Sequence, residues 1–268
     1  MSDTVLVDRL GGVALVTLNR PERLNAIDAE LMTRLPVVLR DLADDHDVGC
    51  VILTGAGRGF CAGGDLKSRQ AELDAQALLS DDERLRLSMP HVMDQVLRSR
   101  VEASRLLHDM AKPTLAMING PCAGAGFSLA GACDMRFAAE SAVLTSAFTR
   151  AGLSGDYGGT YYWTQILGTA KARELYLLSE KIGAAEALSR GMVNRVWPDG
   201  ELRARTLEIA HALADGPRWA HGYAKRNLNL AETAPLDQVL QSEVTTMGLA
   251  TRTVRDTGQL PVSVLARS

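Results

Sequence analysis

The sequence predicts an α/β fold organised around one large core, and three observations predict it. Two apolar runs, Cys50-Val-Ile-Leu-Thr54 and Thr114-Leu-Ala-Met-Ile118, have the length and content of buried strands, and each runs into a cluster of glycines. Segments of helical periodicity follow such turns repeatedly along the chain. No linker of low complexity divides the 268 residues, a length that suits one large domain, or one domain with a small appendage.

Taken in order, Val5-Leu-Val-Asp-Arg9 and Val13-Ala-Leu-Val-Thr-Leu18 flank Gly11-Gly12 and predict a hairpin, which Asn19-Arg-Pro21 ends. Asp28 is placed to cap a helix over 29–42, whose Leu31, Leu35, Val38 and Leu42 fall on one face. Pro36 lies inside that span and predicts a kink or a break. The Cys50 strand and its turn, Gly55-Ala-Gly-Arg-Gly-Phe-Cys-Ala-Gly-Gly64, come next. Residues 67–111 read as helical and charged, with 71–86 polar enough to be mobile and 91–107 a better-formed helix. After the Thr114 strand comes the second turn, Asn119-Gly-Pro-Cys-Ala-Gly-Ala-Gly126, and a run of small apolar residues to Cys133 that suits a tightly packed helix. Short strands follow over 135–139 and 142–145, then a turn from Phe148 to Thr160 leading into a helix through Leu167. Helices over 170–178 and 184–189 precede a strand over 193–197. Pro198 marks a boundary, so 1–198 is expected as the core and 199–268 as a helical region with helices over 201–213, 219–230 and 236–251.

Composition narrows the function. A net charge of −3 with scattered basic residues leaves no electrostatic footprint for nucleic acid. The longest run of small apolar residues is too short to span a bilayer, and Met1-Ser-Asp-Thr lacks a basic, then apolar, signal pattern, so the expectation is a cytoplasmic protein away from membranes. Cys50, Cys61, Cys122 and Cys133 form no C-x-x-C and read as buried, reduced thiols. The five histidines have no metal or base-and-nucleophile spacing, and no metal is expected. Gly-Lys-Ser/Thr is missing, Gly124-x-Gly126 lacks the third glycine of a dinucleotide loop, and Gly152-Leu-Ser-Gly-Asp156 lacks the last glycine of a nucleophile elbow.

The chemistry therefore rests on the glycine turns. A strand, a glycine turn and a helix in that order leave unpaired backbone N–H groups at the helix start, which stabilise an anion or an oxygen becoming one. Two such units can aim two donors at one point, as an oxyanion hole requires.

Phe60-Cys-Ala-Gly-Gly-Asp-Leu66, Asn119-Gly120 with its following glycines, and Gly152 through Thr160 resemble the enoyl-CoA hydratase/isomerase (crotonase) superfamily, in the right order from about Val5 to Trp197. The resemblance implies a spiral of ββα repeats, an acyl-CoA thioester as substrate with no separate cofactor, and a C-terminal helical region that packs across subunits in a homotrimer or a dimer of trimers. By motif, the oxyanion donors are the backbone N–H groups of Gly64 and Ala125. Hydratases of the family grip water with two glutamates; those places hold Ser128 and Phe148, which argues against two-glutamate hydration. Asp156 stands where dienoyl-CoA isomerases, ring-modifying isomerases of phenylacetyl-CoA breakdown and an aryl-CoA dehalogenase carry an aspartate. Flanked by Phe148 and Tyr157, it is expected to lose solvation and to work as the sole acid/base; an aspartate before a glycine pair also suits a helix cap. For CoA, the resemblance implies contacts from the backbone around Leu24, Ala26 and Ala62 with Asp65 and Leu66; Arg20, Arg23 and Lys67 are placed to meet its phosphates, Phe148 is expected at the substrate, and Ser128 either hydrogen-bonds the substrate or is core between Phe127 and Leu129. Tyr161, Tyr162 and Trp163 line the acyl pocket or belong to the core. Segment 67–111, longer than the family's usual spacing, forms a wall over the acyl end or a solvated excursion. The ending Asp256-Thr-Gly-Gln-Leu-Pro-Val-Ser departs from the family's basic-aromatic one. The expected reaction is double-bond isomerisation, with hydration through Asp156, or acyl-CoA binding without catalysis, as the alternatives.

Overall fold

A computed structural model describes residues 3–87, 89 and 101–258. Its main sheet holds β1 (Val5–Leu10), β2 (Val13–Leu18), β3 (Cys50–Gly55), β4 (Thr114–Ile118), β6 (Met135–Ala139) and β9 (Arg195–Trp197) in the order β1-β2-β3-β4-β6-β9. Within it only the β1–β2 hairpin is antiparallel; the remaining pairs are parallel. A parallel sheet is covered on both faces, which is why β3 and β4 are apolar runs buried at every position. A second sheet joins β5 (Cys122–Ala123), β7 (Val143–Thr145) and β8 (Ile182–Gly183).

Successive turns of chain lay one strand in the main sheet and one in the small sheet before a helix returns. β4, β5 and α5 (Ala125–Ala132) make one such turn, and β6, β7 and α6 (Gly159–Leu178) the next. This is the expected spiral of ββα units. Isolated bridges Ile27–Gly64 and Cys61–Cys122 extend the small sheet back to the first glycine turn, so the two turns become neighbours.

Helix α1 (Ala29–Asp44) begins at Asp28, whose carboxylate accepts the Leu31 amide at 2.9 Å, as expected of a cap. Of the kink or break expected at Pro36 it has no break, because the helix continues through the proline. Burying Leu31, Leu35, Leu39 and Leu42 stabilises it by ~1.5–3 kcal/mol each, against ~3 kcal/mol for the proline. Over the stretch between the two turns, α2 (Leu66–Ala77), α3 (Asp81–Leu87) and α4 (residues 101–109) are helical. The helix expected over 91–107 falls partly on 90–100, outside the described residues. In α6, Gly168 (φ 75°, ψ 165°) interrupts the helix where the sequence predicts one helix to end and another to start.

Beyond β9, α7 (Ala184–Ser189) lies behind and α8 (Leu202–Ala214) ahead in sequence. Leu202, Ala210 and Ala214 of α8 close a second core with Val13, Leu15, Ile52, Leu115 and Phe137, so the first helix after Pro198 is part of the main body. α9 (Arg218–Ala231) and α10 (Leu236–Thr257) pair through Asn227, which bonds Ser242 and Thr246. Lys225 pins α9 to the body, donating to the Leu107 and Lys112 carbonyls and to Asp134. Among the described residues no helix is long and apolar enough to cross a membrane.

Candidate active site

The two glycine turns touch one residue before each expected donor. A carbon added at Gly63 would lie 3.2 Å from Ala123 O and 3.4 Å from the Gly124 Cα, and one added at Gly124 would lie 3.3 Å from the Gly63 Cα. Both glycines hold positive φ (98° and 53°), so the turns meet backbone to backbone with no side chain between them. Cys61 O accepts the Ala123 amide at 2.8 Å and locks the pair. Gly64 and Ala125 follow immediately, on neighbouring backbones. Among the described residues neither amide makes a turn or loop hydrogen bond, as expected for a free donor and for the first N–H of α5. Gly64 is exposed, with open space where a side chain would stand, whereas Ala125 is buried.

Two asparagines that the sequence reading did not single out for a role hold these turns. Asn25 is fully buried at φ 57°; its amide donates to the Ala56 and Gly59 carbonyls and its oxygen accepts the Arg20 amide. Asn119 donates to the Gly55 and Gly57 carbonyls at 2.8 and 2.9 Å, tying the second turn to the first. The available signal was chemical: asparagine beside glycine turns tolerates the left-handed region and bonds nearby backbone.

Asp156 sits in a turn of unusual backbone, between Gly155 (φ 118°) and Tyr157 (φ 51°), and its carbonyl accepts the Gly159 amide at 3.1 Å. Phe148 and Tyr157 beside it are buried, at 5% and 4% exposure, but Asp156 itself is exposed. This corrects the expectation of a carboxylate dried by its own neighbours: the backbone turns the two rings inward and the acid outward. The acid is nevertheless near enough for its charge to act on buried groups of the turns. Burial first, and also the Asp156 charge, raise the Cys61 thiol to about 12, and both also act on the Tyr176 phenol.

The remaining predicted residues divide into several groups. Leu24, Ala26 and Ala62 come together, since Ala62 N donates to Leu24 O at 2.9 Å and Ile27 N to Gly63 O at 2.7 Å. Arg23, Leu66 and Lys67 are exposed at the same end. Arg20 is not free for phosphate, a correction: it bonds Ala26 O, Asp28 and Asp65 at 2.5, 3.1 and 3.0 Å. Asp65 is likewise engaged, accepting the Lys67 and Ser68 amides at the start of α2. Burial pushes its pKa up, but the Ser68 amide and Arg20 outweigh this, so its carboxyl sits below the usual range. Ser128 is fully buried within α5, its hydroxyl donating to Gly124 O at 3.4 Å, so it lies beneath the site and not on a surface that substrate can touch. Trp163 stacks on Phe127 at 4.2 Å and donates to its carbonyl; it is core, whereas Tyr161 reaches Glu232 near the surface. A separate groove of about 520 Å³ between residues 109–111 and α9 includes Arg218 and Lys225, both already bound to backbone carbonyls.

Two main-chain donors on neighbouring backbones, with an exposed carboxylate in the turn that follows Phe148, suit a thioester whose neighbouring carbon loses a proton. Comparison with known proteins agrees. The family model for enoyl-CoA hydratase/isomerase matches residues 8–255. The chain is 37% identical to the 1,2-epoxyphenylacetyl-CoA isomerase of Escherichia coli K12 over 232 residues, 87% of this chain and 84% of that one. Among solved structures it is similar to a monofunctional enoyl-CoA isomerase from M. smegmatis (TM-score 0.71, 34% identity, 90% of this chain and 99% of that one). It is also similar to an enoyl-CoA hydratase from Polaromonas sp. JS666 (TM-score 0.80, 30% identity, 93% and 91%). The chain belongs to the enoyl-CoA hydratase/isomerase family.

Proposed function

We propose that this enzyme isomerises a double bond in an acyl-CoA thioester, with Asp156 as its one acid/base. The observation that supports the reading is the contact between the Gly63 and Gly124 turns, which makes the backbones of Gly64 and Ala125 neighbours, with open space on the side-chain side of Gly64. The thioester oxygen accepts both N–H groups. As a proton leaves the adjacent carbon, charge grows on that oxygen, and each donor is worth ~3 kcal/mol to the enolate. Asp156 takes the proton from one carbon and returns it to another, so that the double bond moves and no atom is gained or lost. The acyl group itself supplies the dry surroundings that the fold leaves out, by covering the exposed carboxylate. Leu24, Ala26 and Ala62 line the course of the CoA, with the exposed Arg23 and Lys67 toward its phosphates.

Asp156→Asn tests this. Isomerisation, and exchange of substrate protons with solvent, should fall ~10²–10⁴-fold while acyl-CoA binding persists. A variant with wild-type turnover would remove Asp156 from the mechanism. The exposure of Asp156 favours one second reading, in which the acid activates water for hydration. Panels of 2-enoyl-, 3-enoyl- and dienoyl-CoA separate the two, since hydration yields a 3-hydroxyacyl product and isomerisation does not. Binding with no turnover on any thioester would instead mark a non-catalytic acyl-CoA binder.

The assembly we infer is a homotrimer or a dimer of trimers, built through the C-terminal helices. Leu236, Leu240, Val244 and Met247 form one stripe on α10, each between 48% and 76% exposed, beside exposed Leu228 of α9. So large an apolar face on one helix hairpin is the mark of a protein interface. Light scattering that finds a monomer at micromolar concentration would contradict it.

A further inference from the structure

Tyr176 lies on α6 more than four turns beyond Asp156, yet it returns beneath the aspartate turn. The residue is 7% exposed, and its hydroxyl, wholly inaccessible, has the Ser128 hydroxyl as a polar neighbour but makes no hydrogen bond of good geometry among the described residues. Such a hydroxyl is costlier to bury than the phenylalanine that would fill the same space. What it touches explains its presence. A carbon added to Gly159 would lie 2.2 Å from the Tyr176 hydroxyl oxygen and 2.2 Å from the Ser128 hydroxyl oxygen. The Cα hydrogen of Gly159 occupies that direction, so it points between two oxygens, and α6 begins seated on them. On the other side of Asp156, a carbon added to Gly155 would lie 3.3 Å from the edge of the Tyr176 ring and 3.9 Å from Phe148, whose ring is parallel to that of Tyr176 within 10°. Both residues flanking the turn therefore rest on one side chain. The backbone that carries that side chain is itself held: the Ser146 and Thr149 hydroxyls donate to the Leu175 and Tyr176 carbonyls at 2.8 and 3.0 Å.

We propose that Tyr176 is a positioning residue for Asp156: with Ser128 it forms a two-hydroxyl seat under Gly159 that sets the height of the aspartate turn above the oxyanion donors. The smaller Ser128 leaves room for this seat where a longer side chain would fill it. The phenol stays neutral in the seat. Burial raises it most, the Ser128 hydroxyl eases it, and the Asp156 charge raises it again, to about 12. The consequence for catalysis rests on the isomerase reading above; the seat itself does not.

Tyr176→Phe keeps the ring and removes the hydroxyl, and Ser128→Ala removes its companion. Hydrogen-exchange mass spectrometry on a peptide covering 152–162, and exchange of acyl-CoA protons with D₂O, are measured on both variants and the wild type. In each variant the 155–160 amides should exchange faster while the rest of α6 is unchanged. Turnover should fall ~10–100-fold, with KM within about twofold. A merely structural tyrosine would loosen the whole helix and leave kcat alone. Unaltered amides in both variants, or wild-type kcat, or a fall in kcat/KM carried entirely by KM, would overturn the proposal. If Tyr176→Phe does not fold, Ser128→Ala carries the same test. A wild type inert on every thioester whose variants still loosen at 155–160 would sink the isomerase reading and leave the seat standing.

Discussion

Gly126→Ala puts the geometry of the oxyanion hole at risk in a measurable way. Gly126 is the second residue of α5, and a methyl there would stand 2.5 Å from Cys61 O, 2.6 Å from Cys61 Cβ and 2.9 Å from its sulfur. Ordinary contact begins near 3.4 Å, so something must retreat by about 1 Å. Cys61 cannot: it is fully buried, paired with Cys122 through a backbone β-bridge, and bonded through its carbonyl to the Ala123 amide. The start of α5 moves instead and takes the Ala125 amide with it. A displacement of ~1 Å costs up to ~100-fold in rate, which agrees with ~3 kcal/mol for one lost donor. Overpacking costs ~1–3 kcal/mol of stability, and the better helix propensity of alanine returns ~1 kcal/mol of it. Proton exchange at saturating acyl-CoA should therefore drop ~100-fold while the protein stays folded. Gly64→Val is the companion: open space surrounds it, so the fold should lose less than ~1 kcal/mol, while the side chain holds the thioester off the amide. Wild-type kcat in Gly126→Ala, with a structure that shows α5 displaced, would refute the reasoning.

Three further outcomes follow from the packing. Arg20→Ala strands Asp28 and Asp65 in partly buried positions and should cost ~2–3 kcal/mol by thermal unfolding, between surface and buried values. Because the Asp65 carboxyl is lowered in the fold, its stabilisation is whole above the unfolded value near ~3.9 and is lost as pH falls below it, so the gap between variant and wild type should close in acid. Lys225→Met leaves two carbonyls and Asp134 without their buried donor; a loss of ~3 kcal/mol is expected in denaturant unfolding, with α9 released first in hydrogen exchange. Native protein should show none of its four thiols to Ellman's reagent and all four once unfolded, since each is buried and burial pushes Cys50, Cys61 and Cys133 up to about 12 and Cys122 well above its ordinary value. A thiol that reacts at the native rate of an exposed cysteine would contradict that packing.

The sequence carried the frame well because strands buried on both faces must be apolar throughout: the runs at Cys50 and Thr114 coincide with β3 and β4. The glycine turns were legible for the same kind of reason, since backbone meets backbone there and only glycine permits it. What it did not carry depends on contacts between distant residues. Arg20 reads as a free cation until Asp65, 45 positions away, is brought to it. Ser128 reads as either a substrate contact or core until the first residue of α6 is laid over it. The desolvation expected of Asp156 fails because ring and acid on adjacent residues leave a left-handed turn in opposite directions. Pro36 does not break its helix, since local propensity is outweighed by four buried leucines on the same helix.

A crystal structure with a bound, unreactive acyl-CoA analogue bears most directly on the central claim. The account predicts the thioester oxygen within ~2.7–3.1 Å of both the Gly64 and Ala125 nitrogens, with the Asp156 carboxylate over the adjacent carbon. An oxygen held by one amide alone, or seated elsewhere with both amides turned to water, would contradict it.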